Sequence, residues 1–269
     1  MLKMNSIPIA LTIAGSDSGG GAGAQADLKA FTALGCHGTT AITCITAQNP
    51  KGVSGIQPIQ AGMVRKQIEA VFAELPPRAV KTGMLFSTEI IRTIADFFAH
   101  GKRPLLVVDP VVVATSGAML LKPSAISTLK RELLPLATLV TPNLDEAELL
   151  IGRKLSTIEH LKHAALELYE RHGCSVLVKG GHLKLRSDAI DVFYDGQVMC
   201  ELIARRVHGV STHGTGCTYS AAIAANLALG ESLFSAVRLA KGFITTAISE
   251  SYKVGKHPVL NHQANKRAS

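Results

Sequence analysis

Short apolar runs at 7–14, 39–46, 79–81, 105–109, 138–140 and 175–179 are bounded by turn-forming residues and have the length of strands. Between them, 24–34, 60–75, 88–100, 124–134 and 158–172 carry apolar residues at i, i+3 and i+4, the spacing that gives a helix one buried stripe. This alternation predicts repeated βαβ units, hence an α/β fold with a mostly parallel sheet and helices on both faces. The rhythm breaks at 188–204, where DAIDVFYDGQVMCELIA holds two strand-like runs around Asp195-Gly196, predicting an antiparallel excursion at one edge. Two longer helical stretches follow, 217–229 and 233–252, and then a polar tail.

Composition narrows the class. With 47% hydrophobic residues over 269 positions, and no linker, repeat or low-complexity stretch, the chain is expected to build a single domain spanning 1–269. Its five cysteines are odd in number, widely spaced and without a CxxC pair, so they suggest neither a disulfide framework nor a zinc site; a reducing cytoplasm fits them. Lys3 precedes an apolar run as in a signal peptide, but the run is short, Pro8 interrupts its start, and SDSGGGAGAQADLK reads as strand-to-helix punctuation. A first strand is therefore expected, and no later stretch has the length and apolarity of a membrane span. The net charge of +8 is scattered, with only 4% aromatic residues and no basic block, which argues for a surface favouring anionic small molecules and against nucleic acid.

In an open parallel sheet, ligands collect where strands run into helices. GSDSGGGAG follows the first strand and contains a degenerate dinucleotide fingerprint through Gly19, Gly21 and Ala24. No acidic residue lies between Asp27 and Glu69 to hold ribose hydroxyls, which counts against a nicotinamide enzyme. HGTGCT is the second glycine cluster. A turn through Gly214, Thr215 and Gly216 into a helix at Cys217 would aim free N–H groups and a helix dipole at one point, suiting a transferring phosphoryl group. No GxxxxGK[ST] pattern occurs, so this is not a Walker A loop. A thiol in that position is expected to have a lowered pKa and to serve as proton acceptor; the alternative is a small residue packed at a helix start. In TPNLDE, Asn143 and Glu146 form a capping box, or Glu146 helps to place magnesium through water, assisted by Asp109 at the end of LLVVDP. Lys179, ending SVLVK before two glycines, suits a nucleotide phosphate, or else snorkels to the surface.

The ordered blocks AGSDSGGGAGAQADLKAF, TCITAQN, KTGML, VVDPV, TPNLDEAELL, VLVKGGH and HGTGCTYSAAIAA resemble the ribokinase superfamily, and within it the hydroxymethylpyrimidine/phosphomethylpyrimidine kinases of thiamine biosynthesis. The resemblance covers nearly the whole chain and implies a ribokinase-like three-layer α/β/α sandwich. It also implies a homodimer and MgATP-dependent phosphorylation of 4-amino-5-hydroxymethyl-2-methylpyrimidine, first to the monophosphate and then to the pyrophosphate. Carried onto this chain, Gln48 would bond the aminopyrimidine edge, with Gly15, Asp27, Met84 and Val111 shaping the pocket. Gly214, Thr215 and Gly216 would form the anion hole and Cys217 would be the base, where most sugar kinases of the superfamily have aspartate. Lys179 would contact ATP phosphates, while Asp109, Asn143 and Glu146 organise magnesium and phosphates. A flap over 111–121 would close on the pyrimidine. SYKVGKHPVLNH, 251–262, departs from the family's glycine-rich C-terminal stretch. A kinase for vitamin B6 is the alternative, because its substrates also carry a hydroxymethyl arm on a heteroaromatic ring.

Overall fold

The computed structural model describes residues 6–101, 104–112, 121–181, 183, 188–210 and 213–264. Among these, nine strands form one sheet in the order β3-β2-β1-β4-β5-β6-β7-β8-β9. The six central strands are parallel: β1 (Ile9–Asp17), β2 (His37–Asn49), β4 (Ala79–Thr82), β5 (Leu105–Val108), β6 (Leu139–Val140) and β7 (Ser175–Val178). Antiparallel strands close both edges: β3 (Gly52–Pro58) on one side, β8 (Asp188–Tyr194) and β9 (Met199–Arg205) on the other.

The strand pleat sorts the core into two layers. Leu106, Val108, Val176 and Val178 face one side, packed by α2 (Ala61–Glu74), α3 (Thr88–His100), α5 (Leu144–Ile151) and α6 (Ile158–His172). Val107 and Leu177 face the other, under α1 (Gly23–Ala33), α7 (Thr215–Ala228) and α8 (Leu233–Ser249). α7 is buried along almost its whole length, and its alanines let it lie close over the sheet centre. The expected three layers are thus present. The chain leaves β1 toward β2 under α1, then returns past β1 to β4 under α2, so the switch point lies between the carboxyl ends of β1 and β4.

Several boundaries differ from expectation. β3 was not foreseen: GVSGIQP contains two glycines and is mostly exposed, so it lacks an apolar alternation, and β2 recruits it by pairing. The edge hairpin turns at Asp195-Gly196, but over four residues, with Asp195 Oδ1 accepting the Gln197 and Val198 N–H groups. The stretch at 124–134 is not one helix: α4 (Pro123–Thr128) passes into a π turn, Leu129–Leu133, and a 3₁₀ turn, Leu134–Leu136. α8 ends at Ser249, and the polar tail contains a second hairpin, β10 (Tyr252–Val254) with β11 (His257–Val259), turning through Gly255 at φ 55°. That hairpin brings Leu260 and His262 back to the core, where His262 Nε2 lies 3.0 Å from Thr218 Oγ1 on α7. No described helix is long and apolar enough to cross a membrane.

Burial pushes the His262 imidazole down to about 4. In the unfolded chain it takes a proton near pH 6.5, so its contribution to stability is present above that pH and is lost as pH falls toward 4. Replacing His262 by Gln is expected to remove on the order of 1–3 kcal/mol of that acid sensitivity. Urea titrations at pH 7 and pH 4.5 measure it; equal pH slopes for the two proteins would refute the assignment.

Candidate active site

One cavity of about 510 Å³ opens across the strand ends from β2 to β8. Every site residue expected from the sequence lines it except Asp27. At the β2 end stand Gly15, Gln48, Met84 and Val111. Gly15 has no room for a side chain: a Cβ there would lie 2.7 Å from Cys44 Sγ and 3.5 Å from Met84 Sδ. Met84 packs with Cys44 beside it, its carbonyl held by the Thr43 hydroxyl at 2.6 Å. Gln48 is partly exposed at the end of β2, with its Oε1 accepting from Thr46 Oγ1 at 3.1 Å. The expected flap at 111–121 falls on residues 113–120, which lie outside the described residues, except at its ends.

The two glycine turns have different jobs. In the first, the N–H groups of Gly19, Gly21 and Ala22 all donate to the Asp17 carboxylate, at 2.8, 3.1 and 2.8 Å. This turn is a self-satisfied wall, not a cradle for pyrophosphate. Burial raises the Asp17 carboxyl, but the bonds from His213 and from the Ala22 and Gly19 amides outweigh it and hold it below the usual range. The second turn starts α7, with Gly214 as N-cap at φ 80°. A Cβ on Gly214 would collide with the Gly21 carbonyl oxygen, so the two turns meet backbone to backbone. Gly216 faces Lys179, whose Nζ would lie 3.2 Å from a Cβ placed there. The amino end of α7 and a lysine therefore converge on one point, as an anion site requires.

Cys217 occupies the first turn of α7, as expected, but its pKa is not lowered. Burial of the sulfur pushes the thiol up to about 11, and the opposing pull of Lys81 only partly offsets this. Desolvation outweighs the helix terminus here.

Asp27 sits one layer below the cavity. It is fully buried in α1, accepting from Lys81 Nζ at 2.9 and 3.1 Å and from Thr12 Oγ1 at 2.6 Å. Lys81, within the KTGML block, also lines the cavity, and sequence reasoning gives it no role. A fully buried lysine is rare enough that its place in an apolar strand was itself a signal. Burial opposes its charge, but the carboxylate of Asp27, then Cys217 and Asp109, raise its pKa above the ordinary lysine value. His213 and Asp17 were likewise passed over; His213 Nε2 lies 3.2 Å from Asp17 Oδ2 and ties the two glycine turns together.

Lys179 does not snorkel. Its Nζ donates to Asp109 Oδ1 at 2.8 Å, and Asp109 also accepts from Thr141 at 3.2 Å and Ser220 at 3.1 Å. Burial works against the Asp109 charge, yet Lys179 and Lys81 hold its carboxyl below the usual range. Asn143 and Glu146 form the foreseen capping box at α5, Asn143 N–H to Glu146 Oε2 being 2.8 Å and the reverse bond 2.9 Å. Burial pushes the Glu146 carboxyl up to about 8, with Asp109 adding to the rise and Lys179 opposing it. Among the described residues no three carboxylates or imidazoles gather as a metal cage. Asp109 and Glu146 are both already engaged within the protein, so a magnesium ion beside them would have to be met through its water shell.

A mostly parallel sheet with a cavity at its switch point, and a helix start and lysines facing that cavity, is a layout suited to a kinase of small molecules. The family model for phosphomethylpyrimidine kinase matches residues 17–261, and the chain belongs to that family. It is 51% identical to the hydroxymethylpyrimidine/phosphomethylpyrimidine kinase of Rhizobium meliloti over 93% of this chain and 96% of that one. It is 48% identical to the thiamine biosynthesis bifunctional protein ThiED of Geobacter sulfurreducens over 94% of this chain, but spans only 51% of that protein. Among solved structures, the pyridoxal kinase of Staphylococcus aureus in complex with AMP-PCP and pyridoxal superposes with a TM-score of 0.89, at 36% identity, over 98% of this chain and 96% of that one. The ribokinase-like fold expected from the sequence is thus present.

The Lys81–Asp27 pair gives the sharpest test of this geometry. Lys81→Met strands the Asp27 charge and is expected to cost roughly 3–5 kcal/mol of stability, whereas adding Asp27→Leu should recover much of it. Urea unfolding of the two variants checks this; a double variant no more stable than the single one would contradict it.

Proposed function

We propose that the chain, acting as one domain over 1–269, uses MgATP to phosphorylate 4-amino-5-hydroxymethyl-2-methylpyrimidine and then its monophosphate. The observation that carries this reading is the convergence of the Gly214–Gly216 turn and Lys179 on the middle of a cavity whose β2 end holds Gln48 and Met84. Gln48 offers a donor and an acceptor on one amide, which matches an aminopyrimidine edge. Met84 and Val111 supply apolar walls to a ring, and Gly15 lets the backbone approach it; Asp27 acts from below, by holding Lys81. The higher identity to the Rhizobium pyrimidine kinase, 51% against 36% for the pyridoxal kinase, supports the pyrimidine over vitamin B6.

In-line transfer asks the protein chiefly to position and to stabilise charge. The N–H groups of the turn through Gly214, Thr215 and Gly216 would meet the charge developing on the transferred phosphoryl, and Lys179 would face the leaving phosphates. Asp109 and Glu146, with Asn143 fixing the Glu146 turn, would hold a magnesium ion, which would supply neutralisation of charge on the leaving oxygen. Cys217 is the proposed acceptor of the alcohol proton. With its thiol pushed up to about 11, ionisation is the uphill part of that step, so kcat should rise with pH through pH 9. The reading also carries the homodimer, for which exposed Ile45, Ile56 and Met63 offer apolar surface, and the cytoplasmic setting. A monomer mass in sedimentation equilibrium would overturn the dimer.

The test is ATP consumption with the hydroxymethylpyrimidine, its monophosphate and pyridoxal at equal concentration. Turnover of both pyrimidines well above pyridoxal is expected, and turnover of pyridoxal alone would move the assignment to vitamin B6. Gly214→Val should abolish turnover, since its side chain displaces the Gly21 carbonyl. The alkaline rise of kcat should vanish in Cys217→Ala, and a rise that persists there would remove Cys217 as base.

A further inference from the structure

Asp191 has no sheet-building reason to be in β8. Its neighbours Ile190, Val192 and Phe193 are core residues, and it is itself only 3% exposed. Its Oδ2 accepts from Lys241 Nζ of α8 at 2.6 Å, while Lys241 also donates to the Ala189 carbonyl at 3.1 Å. Its Oδ1 accepts the backbone N–H of Gly180 at 3.0 Å. Gly180 directly follows Lys179, and the peptide on the other side of Lys179 is also fixed, its N–H donating to Pro142 O at 2.8 Å. Both peptide planes flanking the lysine are therefore pinned, one to the TPNLDE turn and one to Asp191. The turn is also pressed against β8: a Cβ on Gly180 would run into the Ile190 carbonyl oxygen and lie 2.6 Å from Leu161 Cδ2. A buried carboxylate accepting both a backbone amide and an ammonium is a stiff anchor, because losing either bond leaves a charge or donor unsatisfied in low dielectric.

We propose that the Asp191–Lys241 pair is a positioning device that holds Lys179 at the point where nucleotide phosphates lie, and thereby sets affinity for the nucleoside triphosphate without acting on the pyrimidine end. This rests on the reading of Lys179 as the phosphate contact. A pair that merely fastens α8 to the sheet would lower stability without separating the two ligands.

Calorimetric titration of the full chain with AMP-PCP and magnesium, and separately with the hydroxymethylpyrimidine, distinguishes these cases. Asp191→Ala is expected to raise the nucleotide Kd about tenfold, equivalent to about 1.4 kcal/mol, and to leave the pyrimidine Kd within about twofold. Asp191→Asn keeps an acceptor for the Gly180 amide and should restore the nucleotide Kd to within about threefold of the parent protein. Equal weakening of both ligands, or an unchanged nucleotide Kd, would overturn the proposal. Should Asp191→Ala fail to fold, Gly180→Ala, whose Cβ would run into the Ile190 carbonyl and shift the turn without adding or removing a charge at the cavity, is expected to raise the nucleotide Kd about threefold, and no change there would overturn it equally. Binding is read without turnover. A parent protein that leaves the pyrimidine unphosphorylated but shows the split therefore sinks the substrate assignment and upholds this inference; turnover without the split does the reverse.

Discussion

The contact between Gly214 and the Gly21 carbonyl is the constraint on which the site is built. With φ 80° at Gly214 and no space for a Cβ, the start of α7 can lie directly on the first βα turn. That contact carries the amino end of a nearly fully buried helix to the switch point between β1 and β4. The first turn can bear the load because Asp17 takes three of its N–H groups, making it a rigid wall. The first turn is spent on its own carboxylate, so the point where an anion could be met is the amino end of α7 with its dipole.

Around that point the charges are arranged as pairs. Lys81 with Asp27 is fully buried, Lys241 with Asp191 is buried, and Lys179, itself partly exposed, pairs with the buried Asp109. Each ion costs several kcal/mol to bury, so such pairs are poor explanations of stability. They do hold three lysines in fixed positions bordering the cavity, at β4, at the end of β7 and on α8. Low dielectric works against Cys217: the field of Lys81 favours its thiolate, but burial disfavours it more. A sequence reading that counts only the helix dipole therefore gets the sign of that shift wrong.

What could be read from the sequence follows the same physics. Periodic apolar runs fixed by burial on two faces were legible, so the parallel strands, their helices and the loops at their carboxyl ends fell near the expected positions. Elements made by pairing alone were not: β3 and the β10–β11 hairpin have no apolar rhythm, and their partners supply the reason they exist. Among site residues, those in turns announced themselves through glycine and capping patterns. Lys81 and Asp191 lie inside strands, where a charge is visible as an exception but its partner, 54 or 50 positions away, is not.

The choice of acceptor is a separate matter from all of this. The pyridoxal kinase backbone superposes at a TM-score of 0.89 over nearly the whole chain, so the fold alone does not distinguish a pyridine from a pyrimidine. Discrimination has to reside in the few side chains at the β2 end. There the Gln48 amide can accept from an exocyclic amine and donate to the adjacent ring nitrogen, whereas an aldehyde and phenol would have to meet it in the opposite order of donor and acceptor and with a different spacing. A site built to hydrogen-bond one edge rejects a ring lacking it far more strongly than an apolar wall rejects a change of shape. On the proposed reading Gln48, carried on an edge-proximal strand that β3 braces, is where substrate identity would be decided, apart from the phosphate chemistry at the other end of the cavity.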